Sequence, residues 1–309
     1  ALLALRSAGM AFHVPAMQAS VPLLAPPDKL MRISGINNMI QSVSTIASPA
    51  LAALLITLFD MTWVLMIDVA GALIAVVTLL MVTIPNPEKL SHAEPHVFRE
   101  LKEGIREIYT KPALLWMFIL SVFMHMFIMP VAALFPLMTL QHFNGTTYMM
   151  SIVEIAWGVG MLIGGAVLGW QWLGKHKVTA INLMYFVIGT TFVLSGILPP
   201  SGFAIFAVIT AFGGISAAVY SGSFTVVIQT MVEPSALGRV FSLYTSLTLM
   251  PSMLGLLATG FIADTIGIGN AFIISGAGIC ILGITAFIVA PLRALVREES
   301  RGGSAMTGA

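Results

Sequence analysis

The sequence predicts an all-α polytopic membrane protein, on three observations. Hydrophobic residues make up 58% of the 309 residues and charged ones only 9%, with a mean hydropathy of +0.98. A soluble domain averages about 25% charged residues, so this chain cannot cover itself with a polar surface. Eight segments are apolar over the roughly 20 residues that a helix needs to cross a bilayer. The basic residues then fall on alternate connectors between those segments, which a miscounted set of spans would not do.

The eight segments occupy approximately 36–59, 61–84, 113–140, 148–173, 178–198, 202–231, 240–262 and 269–291, and a partial ninth occupies about 1–21. Their connectors are short and carry turn formers, such as Asn144-Gly145 and Pro199-Pro200. A closed barrel is the other way to span a bilayer, but these runs are too long and continuous for alternating strands. Before the first full span the Pro-rich stretch from Pro22 to Pro27 reads as a connector.

Lys29, Arg32, Lys89, Arg99, Lys102, Arg106, Lys111, Lys175, Lys177, Arg239, Arg293, Arg297 and Arg301 all lie on one set of connectors and the tail. That is thirteen of the 14 basic residues, Arg6 being the exception. The positive-inside rule makes this side, and the C-terminus, cytoplasmic. The opposite connectors, around Asp60, 141–147, 199–202 and 263–270, hold no Lys or Arg.

The longest polar stretch, 85–112, divides the chain. Phe98, Leu101, Ile105 and Ile108 recur there at helical spacing among charged residues, the pattern of an amphipathic helix lying on a membrane face. His92 and His96 in the same stretch are expected to be solvated. Two full spans and a part precede this linker and six follow it. The predicted units are 1–84, the linker 85–112, a six-span unit 113–292 and a tail 293–309. Transporters often pair two similar halves around a central substrate site. The chain starts within an apolar stretch and without Met, so span counting predicts that it is the larger, C-terminal part of a transporter about three spans longer.

Several local patterns share one resemblance. Leu5-Arg6 followed by Gly9 resembles the fourth-span arginine motif of the major facilitator superfamily, and Phe12 to Pro26 resembles the connector that follows in its drug, macrolide and siderophore efflux branch. Ile46 to Ala53, with Pro49, sits where efflux antiporters of that superfamily carry a Gly-Pro pair. Gly165 to Gly169 with Gly174, Lys175 and Lys177 resembles the gating loop of the second half, with Trp170, Gln171 and Trp172 where an Asp is usual. Gly238-Arg239 and Gly260 to Gly267, including Asp264, are similar to that branch around its eleventh span. The resemblance implies a two-half helical bundle, N-terminally incomplete here, in a bacterial cytoplasmic (inner) membrane. It further implies export of small amphipathic compounds by alternating access, coupled to protons, with no cofactor and with the chain acting as a monomer.

Ionisable groups inside a bilayer cost at least about 2.5 kcal/mol on insertion scales, so each is a functional candidate. Arg6 is, by the resemblance, a proton-coupling or core-charge residue. Asp68 and Glu154 lie deep on their spans, and burial can raise a carboxylate until it loads and releases protons near neutrality. Glu154 shares a predicted face with Trp157, an aromatic surface beside a charge suited to lipophilic cations. Asp264 reads better as a helix-end residue.

His125 is the histidine deepest in a span, beside Met124, Met126, Phe127 and Met129. It is a pH-sensitive candidate; a metal site needs several ligands, and methionines commonly fill gaps in packing. Pro130 and Pro136 are expected to break the third full span, and Pro49 and Pro251 to interrupt two others, marking hinges. Glycines at 160, 164, 165 and 169 give small-residue faces for packing inside the second half. The polar run from Gly213 to Ser223, with Gln229, is expected to line the cavity.

The net charge of +1 excludes a basic nucleic-acid-binding face. The lone Cys280 excludes a disulfide scaffold. An intramembrane enzyme would need paired catalytic residues at depth, and no HExxH motif or Asp cluster is present. The expected partners are a small-molecule substrate, protons and the bilayer. The alternatives to export are uptake of a small metabolite by the same fold, and a fragment that does not transport.

Overall fold

A computed structural model describes residues 2–85 and 97–305. The chain forms α1 (Leu2–Leu24), α2 (Leu30–Leu58), α3 (Met61–Leu80), α4 (Val97–Tyr109) and α5 (Pro112–Leu137). These are followed by α6 (Thr147–Leu168), α7 (Gln171–Lys175), α8 (Lys177–Ile197), α9 (Phe203–Met231), α10 (Leu237–Ile266), α11 (Ile268–Ile288) and α12 (Ala290–Ala305). No strand occurs among the described residues. Eight of the described helices are long and apolar enough to cross a membrane, and they coincide with the eight predicted segments. His92 and His96 lie outside the described residues.

Two boundaries differ from the sequence reading. α1 runs through Pro22 to Leu24, and a single 3-10 turn, Pro27–Lys29, separates it from α2. Arg32 therefore sits in the first turn of α2 rather than in a connector. The helix of the tail begins at Ala290, before the predicted boundary at 293, with only Val289 between it and α11.

The prolines do not break their spans. Pro49 lies inside a continuous α2, Pro130 and Pro136 inside α5, and Pro251 inside α10. A proline removes one ladder hydrogen bond, and a membrane helix survives this when a neighbour covers the freed carbonyl. At Pro130 the freed group is the Met126 carbonyl, and it faces Gly255 of α10, where a Cβ would stand only 2.9 Å from the oxygen. α5 then ends in a π-helical turn, Met138–His142.

The predicted turn at Asn144-Gly145 forms. Asn144 takes a left-handed φ of 49°, which asparagine tolerates, and the Gly145 N–H donates to the Thr139 carbonyl at 2.9 Å. Thr146 caps α6, its Oγ1 accepting from the Met149 N–H at 3.4 Å.

The buried core lies among α5, α8, α9, α10 and α11, around Tyr185, Phe206, Phe224, Phe241 and Phe272. α9 is its centre, with α6 and α8 packed on either side, while α11 packs on α8 and α5, and α10 on α5. Lipid is as apolar as leucine, so helices in a bilayer associate through close packing and polar contacts. The glycines supply that closeness: a Cβ at Gly164 would meet the Ile215 carbonyl of α9 at 2.5 Å, and one at Gly276 of α11 the Gly189 carbonyl of α8 at 2.5 Å. α3 pairs with α2 and is otherwise exposed along its length.

The linker helix α4 docks on α10. Among its described side chains it buries Gly104 and Ile108, whereas Leu101 and Ile105 of its predicted apolar face remain about two-fifths exposed and the Phe98 side chain lies outside the described ones. Arg239 Nη1 pairs with Glu103 Oε2 at 2.5 Å. Lys111 Nζ pairs with Glu107 and donates to the Met231 carbonyl at 2.7 Å, placing a cation on the C-terminal end of α9.

Candidate functional site

Two sets of polar groups meet on α9 at residues 220–223. One set is internal to the later helices. The Ser121 and Tyr244 hydroxyls are 3.0 Å apart, and those of Tyr185 and Tyr220 are 3.4 Å apart. The Tyr244 ring stacks on Phe224 with centroids 4.8 Å apart, and Phe224 stacks on Tyr220 at 5.6 Å. Phe118 closes the group edge-on to Tyr244 at 5.3 Å.

His125 stands at the rim of this cluster. Its Nδ1 lies 2.8 Å from the Ser121 carbonyl oxygen and its ring is perpendicular to that of Tyr244. A carbonyl can only accept, so this contact assigns the proton to Nδ1 and leaves Nε2 to receive a second one. The helical spacing of Ser121 and His125 (one turn) is what lets the ring reach back to that carbonyl.

The second set ties α2 and α1 to the later helices. Ser34 Oγ donates to the Gly222 carbonyl at 3.3 Å, Ser221 Oγ donates to Asn38 Oδ1 at 3.2 Å, and Ser42 Oγ donates to the Gly158 carbonyl. Gln229 Nε2 donates to the Gln18 carbonyl of α1 at 2.8 Å. Gln229 is therefore a buried tie between helices instead of a cavity-lining group.

The polar run of α9 is likewise mostly packed. Gly213, Gly214, Ser216, Gly222 and Ser223 are buried, and of this run Ser221 is exposed. Burial follows from its glycines, which let α6 approach too closely to leave a wall facing water. Trp157 is drawn into the same contact: its ring edge lies where a Gly213 Cβ would be 3.2 Å away, and it meets Phe135 edge-on at 6.4 Å. Its aromatic face is taken up in packing, so the predicted pairing of Trp157 with Glu154 on an open surface is not what the fold makes.

Glu154 and Asp68 are exposed and have no hydrogen bond or ion pair among the described residues. Asp264 is exposed in the last turn of α10, just before Gly267, whose φ of 82° turns the chain into α11. Arg6 lies on α1, but its side chain is outside the described residues. Gly165 does not pack within its own unit as expected: it abuts Gly35 of α2. Gly169 ends α6, Gly174 and Lys175 lie on α7, and Lys177 opens α8. Gly238 and Arg239 open α10, with Arg239 held by Glu103. No cluster of three metal-ligating side chains occurs among the described residues.

Outside the spans, a carboxylate ties the tail to α8. Glu299 of α12 accepts from the Val178 N–H at 3.0 and 3.2 Å, capping α8. Burial pushes its carboxyl above the ordinary range, opposed by the N–H groups of Val178 and Thr179 and by nearby Lys177 and His176.

Reasoning from the sequence missed Ser121, Tyr185 and Tyr244. The available signal was scarcity, since of 5 tyrosines in the chain three fall well inside apolar spans, where a hydroxyl needs a partner.

Comparison with known proteins agrees with this architecture. Residues 1–204 match the family model described as Major Facilitator Superfamily. Macrolide efflux protein A of Streptococcus pyogenes is 38% identical over 296 residues, covering 95% of this chain and 73% of that protein. The protein of the same name from Enterococcus faecalis is 40% identical over 257 residues, covering 82% of this chain and 79% of the relative. An uncharacterised MFS-type transporter, YfiS, of Bacillus subtilis (strain 168) is 24% identical over 321 residues. With eight apolar spanning helices and these matches, the chain is a multi-pass membrane protein and belongs to the Major Facilitator Superfamily.

Proposed function

We propose that the chain exports amphipathic compounds of the macrolide class by proton-coupled alternating access, as a monomer and without catalysing a chemical reaction. The observation that carries this reading is the 38% identity to macrolide efflux protein A along 95% of the chain. The moving bodies are residues 1–84 and 113–292, joined by the linker 85–112, with the tail 293–309 and the basic side in the cytoplasm.

The contacts between these bodies support that division. Ser34–Gly222, Asn38–Ser221 and Gln18–Gln229 all lie toward the basic ends of their helices, whereas α2 beyond Pro49 is largely exposed. Such a pattern fits a state closed on the basic side and open on the other. Among the groups at membrane depth, Glu154, His125, Asp68 and Arg6 are the candidates for proton and substrate contact. Glu154 leads because it is exposed beside the α2–α6 contact, one turn from Gly158, which abuts Ile46 of α2. Pro49, Pro130, Pro136 and Pro251 supply bending points, and Gly169, Gly174, Lys175, Lys177, Gly238, Arg239 and Asp264 shape the ends of the spans.

The test is transport in inverted membrane vesicles containing the full-length protein. A radiolabelled macrolide should accumulate when the interior is acidified and should leak out when a protonophore is added. Accumulation that ignores the pH gradient would remove proton coupling, and no accumulation of any macrolide would remove the substrate class.

A further inference from the structure

α6 and α8 both pack on α9 but not extensively on each other, so a furrow stays open over α9 between them. At its basic end the furrow is lined by Val167, Leu173, Met184, Ile215 and Val219, with a volume of about 290 Å³. A second stretch of about 290 Å³ continues it past Thr190, Leu194 and Ile209. The two stretches share Val187 and Phe212 and so adjoin along one shallow apolar furrow.

The length of this furrow is informative. From the mouth beside Lys177 to Val187 along α8, the stretch at the basic end extends about 15 Å at 1.5 Å per residue. That is half of the roughly 30 Å hydrocarbon thickness of a bilayer, or the depth of one leaflet.

Its mouth is aromatic and is followed by basic residues. Trp170 is 68% exposed and Trp172 47% exposed, and tryptophans favour the level of the headgroups. Lys175, His176 and Lys177 follow at once, with the Trp172 and His176 rings 5.1 Å apart. The Glu299 carboxylate faces Lys177 and His176 but is occupied by the Val178 N–H. Lys175 lies in the last turn of α7.

We infer that this furrow is a binding site for an anionic phospholipid, one acyl chain lying along α9 between α6 and α8 and the phosphate held by Lys175 and Lys177. Charge complementarity selects the occupant: an apolar slot one leaflet deep, beginning at Trp172, whose ring meets His176 between two lysines in the chain, matches a lipid with an acidic headgroup. A bulky drug would need polar groups within the slot, and its walls offer few, chiefly Thr190, Thr191 and Ser216.

Native mass spectrometry of the purified, delipidated protein tests the assignment, with phosphatidylglycerol and phosphatidylcholine of identical chains as probes. Phosphatidylglycerol should be retained preferentially. Because a basic residue near an anionic lipid surface contributes a factor of about five, the double variant Lys175→Gln/Lys177→Gln should lose about tenfold or more of that retention while its weak retention of phosphatidylcholine stays unchanged. Val187→Trp, which fills the junction of the two stretches, should reduce both. Should Val187→Trp fail to fold, bromine-labelled phosphatidylglycerol replaces it as a probe. It should quench the fluorescence of Trp170 and Trp172, and the quenching should vanish in Trp170→Phe/Trp172→Phe. Equal retention of the two lipids by the unaltered protein, undiminished phosphatidylglycerol retention in the lysine variant, or no quenching at the two tryptophans would each overturn the site.

Discussion

Gly35 of α2 and Gly165 of α6 meet backbone to backbone. A Cβ at Gly165 would stand 2.8 Å from the Gly35 carbonyl oxygen, and a Cβ at Gly35 would press on the Gly165 carbonyl. Ser34 and Ser42 flank the pair and bond to carbonyls of α9 and α6. Small residues and side-chain hydroxyls here do what the hydrophobic effect cannot do between helices in lipid.

Alanine at either glycine should therefore separate α2 from α6. Overpacking of this kind costs about 1–3 kcal/mol, because the obstacle is backbone and cannot swing aside. Gly35→Ala and Gly165→Ala should each lower the melting temperature of the purified protein and slow transport. Gly71→Ala is the control: nothing lies within 4 Å of its Cβ position, so it should leave both properties unchanged. An unaltered melting temperature in Gly35→Ala would show that α2 does not hold this position.

Lys111 joins three elements, pairing with Glu107 of α4 and capping the Met231 carbonyl of α9 from the start of α5. It is partly shielded from water, its side chain being 29% exposed. Lys111→Met keeps the stem and removes the charge. It should destabilise the protein by about 2–4 kcal/mol, the sum expected for a charged hydrogen bond and a helix-end cation. Arg239→Gln breaks a more exposed pair, which should contribute under about 1 kcal/mol. Urea or heat unfolding of both variants should rank Lys111→Met as the more damaging, and the reverse order would overturn this account of α4 docking.

The pH response of the tail follows from Glu299. Its carboxyl is raised above the ordinary value of 4.5 by burial. A group raised on folding adds stability when protonated, and that stability is lost as pH climbs through the raised value. Docking of α12 on α8 should thus be firmest near and below pH 4.5 and loosen above it. Glu299→Gln keeps an oxygen acceptor for the Val178 N–H and removes the charge, so its tail should stay docked as pH rises. Hydrogen exchange of residues 290–305, corrected for intrinsic rates, would detect this. Protection in the unaltered protein that increases with pH would reverse the sign and refute the cause.

What the sequence disclosed and what it hid divide along physical lines. Each span was legible because apolar length is a local property, and the Asn144-Gly145 turn because its chemistry is local too. The prolines misled: Pro130 is a breaker in water, but its freed carbonyl at Met126 is sheltered by Gly255, more than a hundred residues away in sequence. Trp157 misled for the same reason. Its spacing from Glu154 shows a shared face, yet only Gly213, on another helix, reveals that the ring is already occupied. The hydroxyl cluster of Ser121, Tyr185, Tyr220 and Tyr244 is assembled from four helices, and nothing local announces it.

Coupling should separate Glu154 from His125. Glu154 is exposed on α6 with no partner among the described residues, so it can exchange a proton without first breaking a bond. His125 is held through Nδ1 by the Ser121 carbonyl, so any proton it takes at Nε2 makes a cation beside Tyr244, at the edge of a packed aromatic group. An unpartnered carboxylate is the better carrier and a tethered imidazole the better modulator. Glu154→Gln should abolish proton-driven export while the protein still inserts and folds. His125→Gln, which can still donate to the Ser121 carbonyl, should keep export and alter only its pH profile. Efflux rates between about pH 6 and 8 distinguish the two. Undiminished export in Glu154→Gln, or complete loss in His125→Gln with the fold intact, would move the coupling site to the histidine, where the Tyr244–Ser121 hydroxyl pair would then lie on the path of the proton.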